Sequence, residues 1–101
     1  MRLKVRFTDE ANLDLSDIVS YLATESIRAA EWLADRIELE SLELADAAYH
    51  YPLLPHRPES GIRRRVVARY NIFFRVRGDT VEILHILHSA RDHERILFPE
   101  D

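Results

Sequence analysis

The sequence has no cysteine, only two glycines and a single lysine among its 101 residues. Without cysteine, the chain forms no disulfide, carries no thiol nucleophile and offers no thiolate ligand to a metal. Because Gly61 and Gly78 stand far apart, there is no glycine-rich loop that could hold a phosphate. No apolar run approaches the roughly 20 residues that a membrane-spanning helix needs. These absences argue against redox, nucleotide-binding and membrane-spanning functions.

Length and composition predict one soluble domain over residues 1–101. Hydrophobic residues make up 47% of the chain and charged residues 32%, a balance typical of globular domains, and about 100 residues are enough for one core. The start, MRLKVRF, is too short and too charged for the apolar segment of a signal peptide. The cytoplasm is therefore the predicted location.

The five histidines do not have the spacing of a metal site. His85 and His88 are three residues apart in a predicted strand, which places them on opposite faces, and no two histidines are four apart in a helix. Ser60 and Ser89 lack the glycines of a nucleophile elbow and a histidine–acid pair placed to activate them. The sequence therefore predicts neither a metal nor a cofactor.

The stretch from Tyr70 to Arg91 carries the strongest structural signal in the chain. Two runs rich in Val, Ile and Phe flank Gly78-Asp79, and a two-residue turn with glycine is typical of a β-hairpin. Counting outward from the turn predicts one face with the pairs Val76–Val81, Phe74–Ile83, Ile72–His85 and Tyr70–Leu87. The other face then pairs Arg75–Glu82, Phe73–Leu84, Asn71–Ile86 and Arg69–His88. The first face suits covering helices, whereas the mixed second face is predicted to be an exposed working surface.

The rest of the chain predicts an edge strand and two helices. Residues 1–7 alternate in polarity, as a half-buried strand does. Thr8 and Ser26 are predicted to cap two helices, which the short connection makes an αα-hairpin. The second helix runs to about residue 48 with Ala30, Leu33, Ile37, Leu44 and Ala48 on its buried stripe. Trp32 and Leu39 lie outside that stripe and are predicted to widen the core, with a contact surface as the alternative.

The predicted fold class is α+β. An antiparallel twisted sheet carries the αα-hairpin on one face, and the elements follow the order β-α-α-β-β-β. A short C-terminal helical turn capped by Asp92 completes the chain. Three prolines between residues 49 and 61 predict a stiff loop between the helices and the sheet.

Basic charge is concentrated in the second half of the chain, although the net charge is −4. Six arginines and no acid occur between residues 62 and 77. This pattern indicates either a strip that binds an anion or a partner, or strand faces charged for solubility. Arg69, His88 and Arg91 form a second cationic cluster, which either binds a phosphate or ribose or only closes the edge of the core. The acidic net charge argues against sequence-specific nucleic-acid binding.

Three pieces of the sequence resemble the ParE/RelE superfamily of toxins from bacterial type II toxin–antitoxin systems. They are A-x-x-D-L-x-x-I at residues 11–18, RY-x-IFF-R-V at residues 69–76 and ILH-x-ARD at residues 86–92. The resemblance runs nearly from end to end. It is greater to ParE and the related plasmid-stabilisation proteins than to the mRNA-cleaving relatives. Those relatives carry an arginine just after the aromatic residue that starts the third strand, where this chain has Asn71.

The resemblance implies a toxin without enzymatic activity that binds DNA gyrase and arrests it on cleaved DNA. A cognate antitoxin, ParD-like or related, then neutralises the toxin. The region near the last strand and the C-terminal turn is expected to bind the target through Arg69, His88, Arg91 and Arg95. The antitoxin is predicted to cover the helical hairpin and the mixed face, with contacts beside Arg64, Phe73 and Arg75.

Two other interpretations stay open. One is a ribosome-dependent mRNA endonuclease of the RelE type with His88 and Arg91 as its catalytic residues. The other is a homologue that has lost its toxicity.

Overall fold

The elements of the computed structural model, which describes residues 2–100, follow the predicted order. The strands are β1 (Lys4–Phe7), β2 (Arg63–Val67), β3 (Tyr70–Arg77) and β4 (Thr80–His88). The helices are α1 (Asp9–Ala23), α2 (Ile27–Leu42), α3 (Leu44–Ala47) and α4 (His93–Leu97). The α+β class is confirmed. Met1 and Asp101, which the predicted domain includes, lie outside the described residues.

Side-chain caps fix where α1 and α2 begin. The Thr8 Oγ1 accepts a hydrogen bond from the Ala11 N–H at 3.1 Å, and the Ser26 Oγ accepts one from the Ala29 N–H at 3.1 Å. Each cap satisfies a backbone donor that has no partner inside its own helix. Both predicted caps are confirmed, and so is the Asp92 cap, whose carboxylate accepts the Arg95 N–H at 3.4 Å.

The buried stripe of α2 is narrower than the sequence predicts. Ala30, Leu33 and Ile37 are buried as expected, and the stripe continues at Leu44 and Ala48. Trp32 is 58% exposed and Leu39 is 51% exposed, so the prediction that they widen the core is wrong. At 100° per residue both lie about 180–200° around the helix from Ala30. They therefore face away from the sheet.

The sheet has the strand order β1-β4-β3-β2 and is mixed. The pairs β2–β3 and β3–β4 are antiparallel as predicted, but β1 lies parallel to β4 at one edge, with Val5 opposite Val81. Parallel neighbours are joined by long crossover connections, not by tight turns. No local sequence signal therefore reports this pairing, and the prediction of a wholly antiparallel sheet is corrected for β1.

The hairpin register follows the prediction near the turn and shifts by one residue beyond it. Gly78 has a φ of 61°, and the pairs Val76–Val81 and Phe74–Ile83 are confirmed. A β-bulge between Phe73 and Phe74 then leaves Leu84 without a partner, so the remaining pairs are Phe73–His85, Ile72–Ile86, Asn71–Leu87 and Tyr70–His88. The predicted pairing of Arg69 with His88 is therefore wrong. An extra residue in one strand moves every later side chain of that strand to the other face.

Apolar clusters cover both faces of the sheet. On the helix side, Phe74, Ile83 and Ile86 pack with Leu33 and Ile37 of α2. On the other side, Phe73 and Leu87 pack with Leu54, Ile62 and the last turn of α4, including Ile96, Leu97 and Phe98. Phe73 is 0% exposed, so the prediction of an open working surface around it is wrong. Among residues 2–100, no helix combines the length and the apolar character that crossing a membrane requires.

Candidate functional site

Arg65 makes contacts that stabilise the fold. Its guanidinium contacts the carboxylate of Glu40 at 2.8 Å and that of Glu43 at 3.0 Å, and it donates to the Glu40 carbonyl at 3.0 Å. The same group lies 5.0 Å from the centre of the Tyr51 ring. These contacts join β2 to the end of α2. Arg65 is therefore unavailable to a partner.

Three further arginines surround the Glu82 carboxylate. Arg6 lies at 2.6 Å, Arg75 at 3.6 Å and Arg77 at 3.8 Å. The hydrogen bond from Arg6 and the charges of the other two arginines hold the pKa of Glu82 below its ordinary value, against the effect of burial. One carboxylate thus faces three cations, and the edge where β1 meets the β3–β4 hairpin carries surplus positive charge.

The remaining cations of the predicted sites are unused by the fold. Arg64, Arg69, Arg91 and Arg95 make neither an ion pair nor a side-chain hydrogen bond with any residue from 2 to 100. Arg64 is half-buried and the other three are exposed. Because no intramolecular contact of this kind holds their guanidinium groups, these four arginines are available to bind a partner.

His88 and Arg91 line one groove, between α1 and the end of β4. The groove has a volume of about 270 Å³, and its wall is formed by Asp14, Asp17, Ile18, Tyr21, Tyr70, Ile86, His88 and Arg91. We call it the α1–β4 groove. It places two aromatic rings, two carboxylates and two basic side chains around one concave surface. Two of the four residues predicted to bind the target therefore come together.

The His88 ring is held in place on two sides. Its Nδ1 accepts a hydrogen bond from the Ala90 N–H at 3.0 Å, and its ring meets the Tyr70 ring edge to face at 5.3 Å. Because Nδ1 accepts, the proton of the neutral imidazole sits on Nε2. His88 therefore presents a hydrogen-bond donor from a fixed ring, which suits recognition of a carbonyl or carboxylate oxygen.

The other two predicted target-binding residues lie elsewhere. Arg69 borders a separate apolar groove formed with Leu22, Ala29, Trp32, Leu33, Ala68 and Tyr70. The Arg69 carbonyl accepts the Ser89 N–H at 2.8 Å, which keeps this arginine beside the end of β4. Arg95 lies on α4, whose apolar side chains pack on the opposite face of the sheet. Tyr70 lines both grooves and connects them.

Asp14, which the sequence did not assign to a site, is only 22% exposed at its side chain. Its Oδ2 accepts the Ile86 N–H at 2.9 Å and lies 2.8 Å from the His85 Nδ1. The pairing of β1 with β4 ends at Ile83, so the next backbone donors of β4 lack a strand partner, and Asp14 supplies one. Its place in the A-x-x-D-L-x-x-I pattern was the available signal.

The residues predicted to bind an antitoxin also differ in whether they are available to a partner. Arg64 is free, Arg75 lies near Glu82, and the Phe73 side chain is enclosed beneath α4, with its ring 5.1 Å from that of His93. Phe73 therefore offers no surface to a partner in this conformation. Within residues 2–100, no group of three or more His, Asp or Glu side chains is arranged to hold a metal ion.

Comparisons with known proteins give one family match and two similar folds. The family model described as "ParE toxin of type II toxin-antitoxin system, parDE" matches residues 5–93. No curated protein matches the chain significantly. A chain from the chromosomal ParDE system of P. aeruginosa superposes with a TM-score of 0.71 and 21% identity, covering 86% of this chain and 96% of that one. A chain from the RelBE2 toxin–antitoxin complex of Mycobacterium tuberculosis superposes with a TM-score of 0.57 and 22% identity, covering 87% and 99%.

Proposed function

The chain belongs to the ParE family of toxins from type II toxin–antitoxin systems, and from that premise we propose that it inhibits DNA gyrase by binding to it. A cognate ParD-like antitoxin neutralises the toxin by binding to it. The two similar structures come from toxin–antitoxin systems, which supports an antitoxin partner. The inhibition is stoichiometric and involves no chemical step on the toxin.

The residues that line the α1–β4 groove are the main support for this proposal. Arg91 is exposed and unpaired within residues 2–100, and Tyr21 across the groove is 68% exposed. Arginine and tyrosine are enriched among the residues that dominate protein–protein binding energy. Asp17 and His88 add one acceptor and one donor to the same surface. The groove therefore offers a partner protein apolar contact and directional polar contact together.

A catalytic alternative has one observation in its favour, since His88 and Arg91 share this groove. Such a pair suits a ribosome-dependent mRNA endonuclease, with the arginine on the scissile phosphate. However, Asp14 and Asp17 line the same groove and repel a phosphate backbone. Asn71, at the position where mRNA-cleaving relatives carry an arginine, is only 7% exposed. The lone Lys4 lies near Asp79 at 3.5 Å. Binding to a protein target is therefore favoured.

Purified components distinguish the two activities. We expect the free toxin to inhibit supercoiling by DNA gyrase and to raise the amount of gyrase-linked cleaved DNA, while mRNA on translating ribosomes stays intact. In cells, DNA synthesis is expected to stop and the SOS response to begin before translation falls. Ribosome-dependent cleavage of mRNA with unaffected gyrase would establish the RelE-type alternative. No effect on growth at full expression would indicate a toxin that has lost its activity.

We propose that the antitoxin covers the outer face of the helical hairpin and reaches β2. The hairpin exposes several large apolar side chains, namely Leu13, Tyr21, Ile27, Trp32, Leu39 and Leu42. Exposed apolar groups in such number mark an interaction surface on a small protein. Arg64 lies opposite Phe73 on the edge strand β2, on the other face of the sheet. An antitoxin segment with apolar and acidic residues would reach this cation around the β2 edge.

Reversing the charge at Arg64 tests the antitoxin surface. We expect Arg64→Glu to weaken antitoxin binding about tenfold or more, because the new carboxylate would face acidic residues of the partner. Calorimetry measures the affinity, and thermal unfolding verifies that the variant is folded. Arg95→Glu is the matched control, since Arg95 also makes no ion pair within residues 2–100 and lies on α4, outside the proposed antitoxin surface. Equal affinities for wild type and Arg64→Glu would remove Arg64 from this surface.

A further inference from the structure

A cavity of about 440 Å³ lies between the start of α1, the β3–β4 hairpin and the end of α4, away from the α1–β4 groove. Its basic lining residues are Arg75 and His85, and its apolar wall includes Leu84, Ile96, Leu97 and Phe98. Polar and apolar groups therefore meet in one open cavity at the surface. The proposed inhibition of gyrase uses none of these residues.

Arg75 lacks the hydrogen bonds that a partly buried guanidinium normally makes. Its contact with Glu82 is 3.6 Å long, and Glu82 already accepts a 2.6 Å hydrogen bond from Arg6. The Arg75 Nε is buried and has no hydrogen-bond partner among residues 2–100. The Arg75 side chain is 33% exposed, so the other donors of its guanidinium can take an added acceptor from the cavity.

His85 supplies a fixed polar atom to the same cavity. The Asp14 Oδ2 lies 2.8 Å from the His85 Nδ1 and also accepts the Ile86 N–H at 2.9 Å. An ionised carboxylate only accepts, so Nδ1 carries a proton and the contact with Asp14 fixes the orientation of the ring. The β-bulge at Leu84 brings His85 opposite Phe73, which places the ring at this cavity and not in the helix-side core.

We propose that this cavity binds a monocarboxylic acid carried on a short apolar chain or ring. One carboxylate oxygen accepts from the Arg75 guanidinium, and charge-assisted pairing of this kind suits a planar anion. The apolar part packs against Leu84 and the residues from Ile96 to Phe98. Glu10 also lines the cavity, and its negative charge disfavours a dianion such as phosphate. The ligand class therefore has one charge and one apolar end.

The first test compares three small probes on the free toxin. Hexanoate, acetate and inorganic phosphate are titrated separately while backbone amide shifts are recorded by NMR. We expect hexanoate to shift the amides of Leu84, Arg75 and the residues from Ile96 to Phe98. We expect it to bind about tenfold or more tightly than acetate, because its extra methylene groups leave water. Phosphate that binds as tightly as hexanoate, or no saturable shift with hexanoate, would overturn the proposal.

Matched variants test the role of Arg75. We expect Arg75→Gln to weaken hexanoate binding about tenfold or more, since a charge-assisted hydrogen bond is lost. Arg77→Gln is the control, because Arg77 lies on the same strand and contacts the same Glu82 at 3.8 Å but does not line the cavity. Thermal unfolding is measured for both variants. If Arg77→Gln weakens binding as much as Arg75→Gln, the cavity is not the site and the proposal fails.

Protection of the C-terminal turn provides a test without substitutions. The wall residues Ile96, Leu97 and Phe98 follow the exposed Arg95, a point of tryptic cleavage. We expect hexanoate to slow cleavage after Arg95 and acetate to have little effect. An unchanged rate at saturating hexanoate would contradict a site walled by α4.

Repeating the titration on the toxin–antitoxin complex identifies the source of the acid. Retained binding indicates a free small molecule, and lost binding indicates a carboxylate supplied by the antitoxin.

Discussion

Phe74→Ala is expected to abolish toxicity by unfolding the protein. Phe74 is 0% exposed and lies in the helix-side cluster with Ile37, Ile72 and Ile83, with the Tyr51 ring edge-on at 6.2 Å. Replacing a fully buried phenylalanine by alanine removes its contacts and leaves a cavity, at a cost of roughly 3–5 kcal/mol. A domain of this size has a total stability of only about 5–15 kcal/mol. The variant keeps about 0–12 kcal/mol, and at the low end of that range most of the folded population is lost near growth temperature.

Denaturant and thermal unfolding measure this cost directly. The midpoint of thermal unfolding is expected to fall by about 12 °C or more, since each 1 kcal/mol shifts it by about 4–8 °C in domains of this size. Val66→Ala is the matched control on the same sheet, because Val66 is exposed on β2, and its cost is expected to stay within about 0.5 kcal/mol. A Phe74→Ala variant that unfolds at the wild-type temperature would show that this cluster does not stabilise the fold.

The turn chemistry of the β3–β4 hairpin predicted its register correctly for the residues closest to the turn. Gly78 sets the turn, and alternation then assigns Phe74 and Ile83 to the core without further information. The bulge at Leu84 could not be predicted in this way. It is stabilised by contacts distant in sequence, because Asp14 of α1 accepts the Ile86 N–H and pairs with His85. The error in placing His85 and Arg69 follows from that one extra residue.

The packing of α4 over the sheet face that contains Phe73 could not be predicted either, for a similar reason. The sequence predicted the Asp92-capped turn, but a helix of five residues gives no periodic signal that shows which surface it packs against. Its apolar residues Ile96, Leu97 and Phe98 close over Phe73 and Leu87. The exposure of Trp32, in contrast, could have been predicted from the sequence. Its position on the helical wheel, opposite Ala30, places it on the solvent side.

The predicted site residues that the structure brings together are those that lie close along the chain. His88 and Arg91 are joined by the turn at the end of β4, where the Arg91 N–H donates to the His88 carbonyl at 2.9 Å. Asp14, Asp17 and Tyr21 complete the α1–β4 groove from a helix about 70 residues away in sequence. No single-sequence pattern reports such a contact. The separation of Arg95 from this groove likewise depends on the packing of α4.

Arg91→Ala is expected to lose toxicity while the protein stays folded. Arg91 is exposed, makes no ion pair within residues 2–100 and lies just past the end of β4. Its removal opens no core cavity, so stability should change by no more than about 0.5 kcal/mol. If Arg91 anchors the target in the α1–β4 groove, gyrase inhibition weakens about tenfold or more, as for other buried interface arginines.

Three measurements on Arg91→Ala separate target binding from folding and from antitoxin binding. Thermal unfolding and antitoxin affinity are expected to match the wild type, whereas growth arrest and inhibition of supercoiling are expected to be lost. Arg28→Ala is the control, because Arg28 is an exposed cation at the start of α2, without an ion pair in the described chain and away from the groove. It should leave toxicity unchanged. A folded Arg91→Ala protein that binds antitoxin and still arrests growth as the wild type does would exclude Arg91 from the target site. Because His88 keeps its Tyr70 and Ala90 contacts in this variant, such a result would leave target binding to the other residues of the groove or to another surface.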